Sequence, residues 1–198
     1  MKLKNRPFFV IGLPRSRTAW LANFLTTGSS FCFHEALRYV NHIDKLPALL
    51  ETAQNDEPAE FVGNSDSSMV FAQNWLTEHY PEAHYVFVRR DLWEVIESYR
   101  REFPKINIDA GTWYHMGLAY DRFESSMLGT GKAVQFWFRQ LEDEAVQRDI
   151  FSFCLPGKSI GTYRQRQLDC LRVDTILEKC QMHPEIRQKL KRFQSVLP

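Results

Sequence analysis

"FFVIGLPRSRTAW", residues 8–20, decides how the fold is read. Phe8 to Gly12 is a short unbroken apolar run, the pattern of a strand buried on both faces. A polar turn follows, and from Thr18 to Thr27 the apolar residues Trp20, Leu21, Phe24 and Leu25 fall on one side of a helix. A turn from a strand into a helix aims several backbone N–H groups at one spot, and the helix dipole adds about half a positive charge there. Arg15 adds a full charge and a two-pronged donor. Thr18 adds a hydroxyl in the first helical turn. The stretch therefore reads as a cradle for a phosphate-like anion.

The familiar nucleoside-triphosphate loop is G-x-x-x-x-G-K-[ST]. Counted from Gly12, this chain has Arg17, Thr18 and Ala19 where that pattern has Gly, Lys and Ser or Thr. The hydroxyl that would hold Mg²⁺ is missing in that register. Phosphoryl transfer from ATP depends on the metal to offset the charge of the β- and γ-phosphates. A sulfuryl group carries less charge, and its transfer can rely on protein donors alone. No metal is expected.

Outward from this loop, strand-like and helical stretches alternate. Ser30–Phe33 reads as a second strand, and Ala36–Gln54 as a helix that Pro47 kinks or breaks. Phe61–Gly63 is a third extended piece and Ser68–His79 a helix. "HYVFVRR", residues 84–90, is the clearest strand, followed by a helical stripe at Leu92, Val95, Ile96, Tyr99 and Phe103. Trp113, Met116, Tyr120, Phe123 and Met127 form another stripe, with core packing the favoured reading over an acceptor pocket. "KAVQFWF" is a strand and 139–154 a helix; the basic tail beyond is helix-prone. The alternation predicts an α/β fold, a parallel sheet with helices packed on it, as one domain over 1–198. Ligands of such sheets sit beyond the carboxyl ends of the strands, where Arg15/Arg17 and Arg89/Arg90 fall.

Bulk properties narrow the classes. A formal net charge of +1 gives no global drive toward nucleic acid or a membrane surface, so an anion site must be a local cluster. No 18-residue apolar stretch occurs, and the run at Phe8–Leu13 is too short for a signal peptide. Cys32, Cys154, Cys170 and Cys180 lack metal-ligand spacing, which predicts reduced cysteines in a cytoplasmic protein.

With these residues in view, "PRSRTAWL" resembles the 5′-phosphosulfate loop, [KR]-S-G-T-[TS]-x-L, of the sulfotransferases that use 3′-phosphoadenosine 5′-phosphosulfate (PAPS). Arg15, Ser16, Thr18, Trp20 and Leu21 fall into register, while Arg17 stands where the family has Gly. A second match is independent. The family carries a strand, then R-[DN]-P, then a Ser eight positions after the Arg. Here "VFVRRDLWEVIESY" offers Arg90, Asp91 and Ser98, with Leu92 in place of Pro. Taken alone, an Arg-Asp pair before a helix is also an ordinary N-cap.

The resemblance is strongest over residues 7–103. It implies a three-layer P-loop-type fold with a central parallel sheet flanked by helices. It implies PAPS as donor, 3′,5′-ADP as product, and a hydroxyl or amine acceptor of unidentified nature. Arg15, Ser16, Arg17, Thr18, Ala19 and Trp20 would bind the 5′ end, with Arg15 stabilising the leaving group. Arg90 and Ser98 would grip the 3′-phosphate. The family's glycine-rich basic segment has only "KSIGTYRQRQ" as a counterpart, through Arg164 or Arg166.

Transfer to an alcohol or phenol also needs a base. Glu35 and His34, in "FCFHEAL", follow the second strand. Glu35 lies 20 positions past Arg15, as in several family members, and is favoured over His34. Glu35 also suits the first turn of a helix for reasons of dipole alone. In "GNSDSS", Asp66 or Ser65 can orient an acceptor, although a helix cap is the better reading. Two other functions compete. A P-loop kinase predicts Mg²⁺-dependent ATP binding. A non-catalytic domain predicts nucleotide affinity without transfer.

Overall fold

The structure, a computed structural model, describes residues 3–40, 42–56 and 59–160. Arg164 and Arg166 lie outside them. Five strands, β1 Phe8–Gly12, β2 Ser30–His34, β3 Phe61–Ser65, β4 His84–Arg89 and β5 Ala133–Trp137, form one sheet. Their order is β2-β3-β1-β4-β5 and every pairing is parallel. All five carboxyl ends therefore share one edge. β1 and β4 are neighbours, paired from Phe8↔His84 to Gly12↔Val88, so the two basic clusters meet there.

Helices cover both faces. Strand side chains alternate, so Phe8 and Val10 of β1 point one way, with Val86 and Val88 of β4. They pack under α1 (Thr18–Phe24) and α7 (Glu144–Cys154), with Trp20, Leu21, Phe24, Ile150 and Phe151. Phe9, Ile11, Tyr85 and Phe87 point the other way. There they meet α3 (Leu46–Asp56), α4 (Gln73–His79), α5 (Leu92–Glu102) and α6 (Ala110–Met127). A one-residue slip of β1 would exchange these sets, which fixes its register and the start of the loop after Gly12. Trp113, Tyr120, Phe123 and Met127 are core residues, as expected. No helix among the described residues is long and apolar enough to cross a membrane.

Three stretches differ from expectation in their breaks. The segment from Ala36 is a short α2 (Leu37–Val40), a 3₁₀ turn at Ile43–Lys45, and then α3. Pro47 does not kink a helix; it is the second residue of α3, where its missing N–H costs nothing. The expected helix at 139–154 divides at Asp143, which caps α7 by accepting from the Ala145 N–H at 2.8 Å. Ser68–His79 divides likewise into a 3₁₀ turn, Ser67–Phe71, and α4. β3 runs past Gly63 because Asn64 and Ser65, although polar, are wholly buried and hydrogen-bonded.

Candidate active site

The loop after β1 is built by its backbone. Ser16 N–H donates to the Leu13 carbonyl at 3.1 Å, turning the chain back over Gly12. A Cβ at Gly12 would sit 3.3 Å from Ser16 Cβ and 3.4 Å from the Val88 carbonyl oxygen, so the approach is close. Arg15 (φ 67°) and Arg17 (φ 63°) are left-handed, and Ser16 between them is not. Such alternation gathers main-chain N–H groups toward one spot in the nests of phosphate loops, although here the Ser16 N–H is already given to Leu13. Each non-glycine residue in this conformation costs roughly 1–2 kcal/mol. Arg17 is also the N-cap of α1 and makes no side-chain capping bond. Ser16 Oγ is buried and has no partner among the described residues. The loop thus joins a left-handed backbone at the start of α1 to an unsatisfied Ser16 hydroxyl, a combination that fits an anion.

Three arginines surround this nest. Arg15 Nε donates to Ser98 Oγ at 3.4 Å, and its Nη2 reaches Glu102 at 3.4 Å. Arg90 Nη1 donates to the Arg15 main-chain carbonyl. Its guanidinium lies 4.0 Å over the Phe138 ring and 3.5 Å from Glu94. Burial, with the nearby charges of Arg15 and Arg17, pushes the Arg90 guanidinium below its usual pKa, against the pull of Glu94. An arriving anion would relieve that crowding of positive charge. Asp91 caps α5, accepting from Trp93 N–H at 2.9 Å and Glu94 N–H at 3.3 Å. About two turns beyond that cap, Ser98 lies against Arg15. The adjacent Arg89 points elsewhere, to Asp121 at 2.8 Å and to the buried Glu124 on α6. Strand alternation separates the two arginines.

Arg17 leaves the loop in the other direction. Its side chain is 1% exposed, with Nη1 2.9 Å from the Phe138 carbonyl and Nη2 2.5 Å from Glu142. Trp20 is not at the loop surface either: its ring stacks on Phe24 at 5.0 Å inside the core. From Ala19 and Trp20 only the main chain is positioned to serve the loop.

His34 ends β2 and Glu35 follows it, two strands from β1, yet His34 meets the loop. His34 Nε2 lies 3.4 Å from Thr18 Oγ1 and 4.0 Å from Glu35 Oε1. Ser65 at the end of β3 bridges the gap, its hydroxyl donating to the Thr18 carbonyl at 2.7 Å. Glu35 is left-handed (φ 53°), and its N–H donates to the Ser65 carbonyl at 3.0 Å. Asn64 accepts from Ala36 N–H at 3.1 Å and Asp66 from Leu37 N–H at 3.4 Å. Asp66 also caps the next turn through Ser68 N–H at 2.8 Å. Asp66 thus has the capping role expected of it, and it helps hold Glu35 at the edge.

Arg15, Arg90 and Ser98 come together, His34 approaches Thr18, and Glu35 lies beside His34. Sequence reasoning missed Glu102, Phe138 and Glu142. Glu102 was findable: it follows Ser98 by one helical turn, on the face toward Arg15. Phe138 and Glu142 lie more than 120 residues from the loop, and nothing local signals them.

No protein-family model matches this sequence, and no curated protein matches it. Solved structures do. A sulfotransferase from Alicyclobacillus acidocaldarius is 15% identical, with a TM-score of 0.59 over 97% of this chain and 92% of that one. Mouse sulfotransferase SULT7A1, solved in complex with PAP, is 9% identical, with a TM-score of 0.60 over 97% of this chain and 84% of that one. The sulfotransferase domain from the curacin biosynthetic pathway is 14% identical, with a TM-score of 0.52 over 98% and 99%.

Proposed function

We propose that this chain, which has the sulfotransferase fold, is a PAPS-dependent sulfotransferase acting on a hydroxyl or amine acceptor without a metal. The observation that supports this most is the meeting of Arg15, Arg90 and Ser98 beside a left-handed nest. The likeness in fold to an enzyme solved with PAP agrees with it. When bound, the donor supplies a sulfuryl group on its 5′-phosphate and leaves as 3′,5′-ADP.

In this reading the N–H groups of Arg15, Arg17 and Thr18 and the Ser16 hydroxyl hold the 5′ end. Arg15 offsets the charge that gathers on the leaving oxygen. Arg90 and Ser98 hold the 3′-phosphate. Glu35 accepts the proton of the acceptor, with His34 as the alternative base; both side chains are partly exposed. The reading also takes residues 1–198 as one domain in a cytoplasmic setting. It is tested by release of 3′,5′-ADP from PAPS, in EDTA, across a panel of phenols, alcohols and amines. Acceptor-dependent release supports it; release that needs Mg²⁺, or none with any acceptor, contradicts it.

A further inference from the structure

We propose that Arg17 is a positioning residue, which sets the anion loop through its own backbone while Phe138 and Glu142 anchor its side chain, and does not itself grip the nucleotide. The inference rests on the reading of the loop as a nucleotide site.

Arg17 occupies a left-handed conformation (φ 63°, ψ 21°) that Gly takes freely and Arg does not. Something must hold it there. Both terminal nitrogens are engaged, Nη1 by the Phe138 carbonyl at 2.9 Å and Nη2 by Glu142 at 2.5 Å. The guanidinium carbon lies 4.2 Å over the Phe138 ring, and Nε is buried with no hydrogen-bond partner among the described residues. With the side chain 1% exposed and both terminal nitrogens held on the side away from the loop, a ligand meets the Arg17 main chain rather than its guanidinium. The same ring carries Arg90 at 4.0 Å, and Arg90 donates to the carbonyl of Arg15. Phe138 therefore links both left-handed residues of the loop, Arg17 directly and Arg15 by way of Arg90. The 3₁₀ turn after β5, Phe138–Glu142, acts as a clamp on the loop.

The test is titration of 3′,5′-ADP into the wild type, Glu142→Gln, Arg17→Ala and Arg17→Gly. Glu142 is half exposed at its outer end, so its replacement leaves the fold intact if Arg17→Ala does not. Removing its negative charge would tighten anion binding by electrostatics alone. Positioning predicts the opposite sign: Glu142→Gln weakens binding by roughly three- to tenfold. Arg17→Ala loses more, and Arg17→Gly recovers most of that loss because Gly adopts the left-handed turn unaided. Tighter binding in Glu142→Gln, or Arg17→Gly as poor as Arg17→Ala, overturns the proposal. Amide hydrogen exchange over residues 13–21 without nucleotide separates this from failure of the functional reading. If the wild type binds no 3′,5′-ADP, the functional reading fails, and exchange alone decides the role of Arg17. Faster exchange there in Glu142→Gln supports the clamp; unchanged exchange overturns it.

Discussion

Arg90, just past the end of β4, donates from Nη1 to the main-chain carbonyl of Arg15, 75 residues earlier in the chain. One side chain thus joins the loop expected at the 5′ end of the nucleotide to the position expected at its 3′-phosphate. Parallel pairing of β1 with β4 makes this possible, since it brings both strand ends to one edge.

Arg90→Ala should therefore damage two nucleotides unequally. A lost charge-assisted bond to the 3′-phosphate weakens 3′,5′-ADP by about 10- to 100-fold. 5′-ADP, which feels only the loosened loop, should weaken by a few-fold. Calorimetric titration of both ligands measures the difference, and equal losses would remove the 3′-phosphate from Arg90.

Glu35→Gln should leave the affinity for 3′,5′-ADP near wild type and lower turnover by about 10²- to 10⁴-fold, the usual contribution of a general base. His34→Gln should be milder. If the effects are reversed, the proton goes to His34, which lies 3.4 Å from Thr18 Oγ1.

Glu102 meets Arg15 where an anion would, 3.4 Å from Nη2. Glu102→Gln should tighten 3′,5′-ADP by about two- to fivefold, since a partly exposed ion pair is worth at most about 1 kcal/mol. Raised salt should shrink this gain. Weaker binding in Glu102→Gln would mean that the carboxylate holds Arg15 in its working position.

Gly63→Ala tests the sheet. A Cβ there would run into the ring and carbonyl of Phe8 on the adjacent strand, with backbone on one side and a buried ring on the other. Overpacking of this kind costs about 1–3 kcal/mol. Urea unfolding should show a lower midpoint with an unchanged slope. An unchanged midpoint would mean that β3 shifts away from β1 at little cost.

The central fold was legible because each strand near the middle of the sheet is a continuous apolar run bounded by charge or turn. Phe8–Gly12 and His84–Arg89 fall where the sequence pattern predicts them. The end of β3 was not legible, because Asn64 and Ser65 look like turn residues until their buried partners at Ala36 and Thr18 are seen. The breaks near residue 42 and at Asp143 depend on capping and local backbone geometry that helical periodicity does not reveal. At the site, Arg15, Arg90 and Ser98 could be named together through the resemblance to the sulfotransferase motifs, and the structure brings them into contact. The fate of Arg17 could not, since its partners are fixed by where β5 docks rather than by anything beside it in the chain. Trp20 shows the converse: it falls in register with the loop, yet helical geometry turns its ring inward.

The most direct test of the account is calorimetric titration of the wild-type protein with 3′,5′-ADP, 5′-ADP and ATP, each with and without Mg²⁺. The account predicts tight binding of 3′,5′-ADP that is indifferent to Mg²⁺, weaker binding of 5′-ADP, and little of ATP. ATP binding that requires Mg²⁺, or no binding of 3′,5′-ADP, would contradict it.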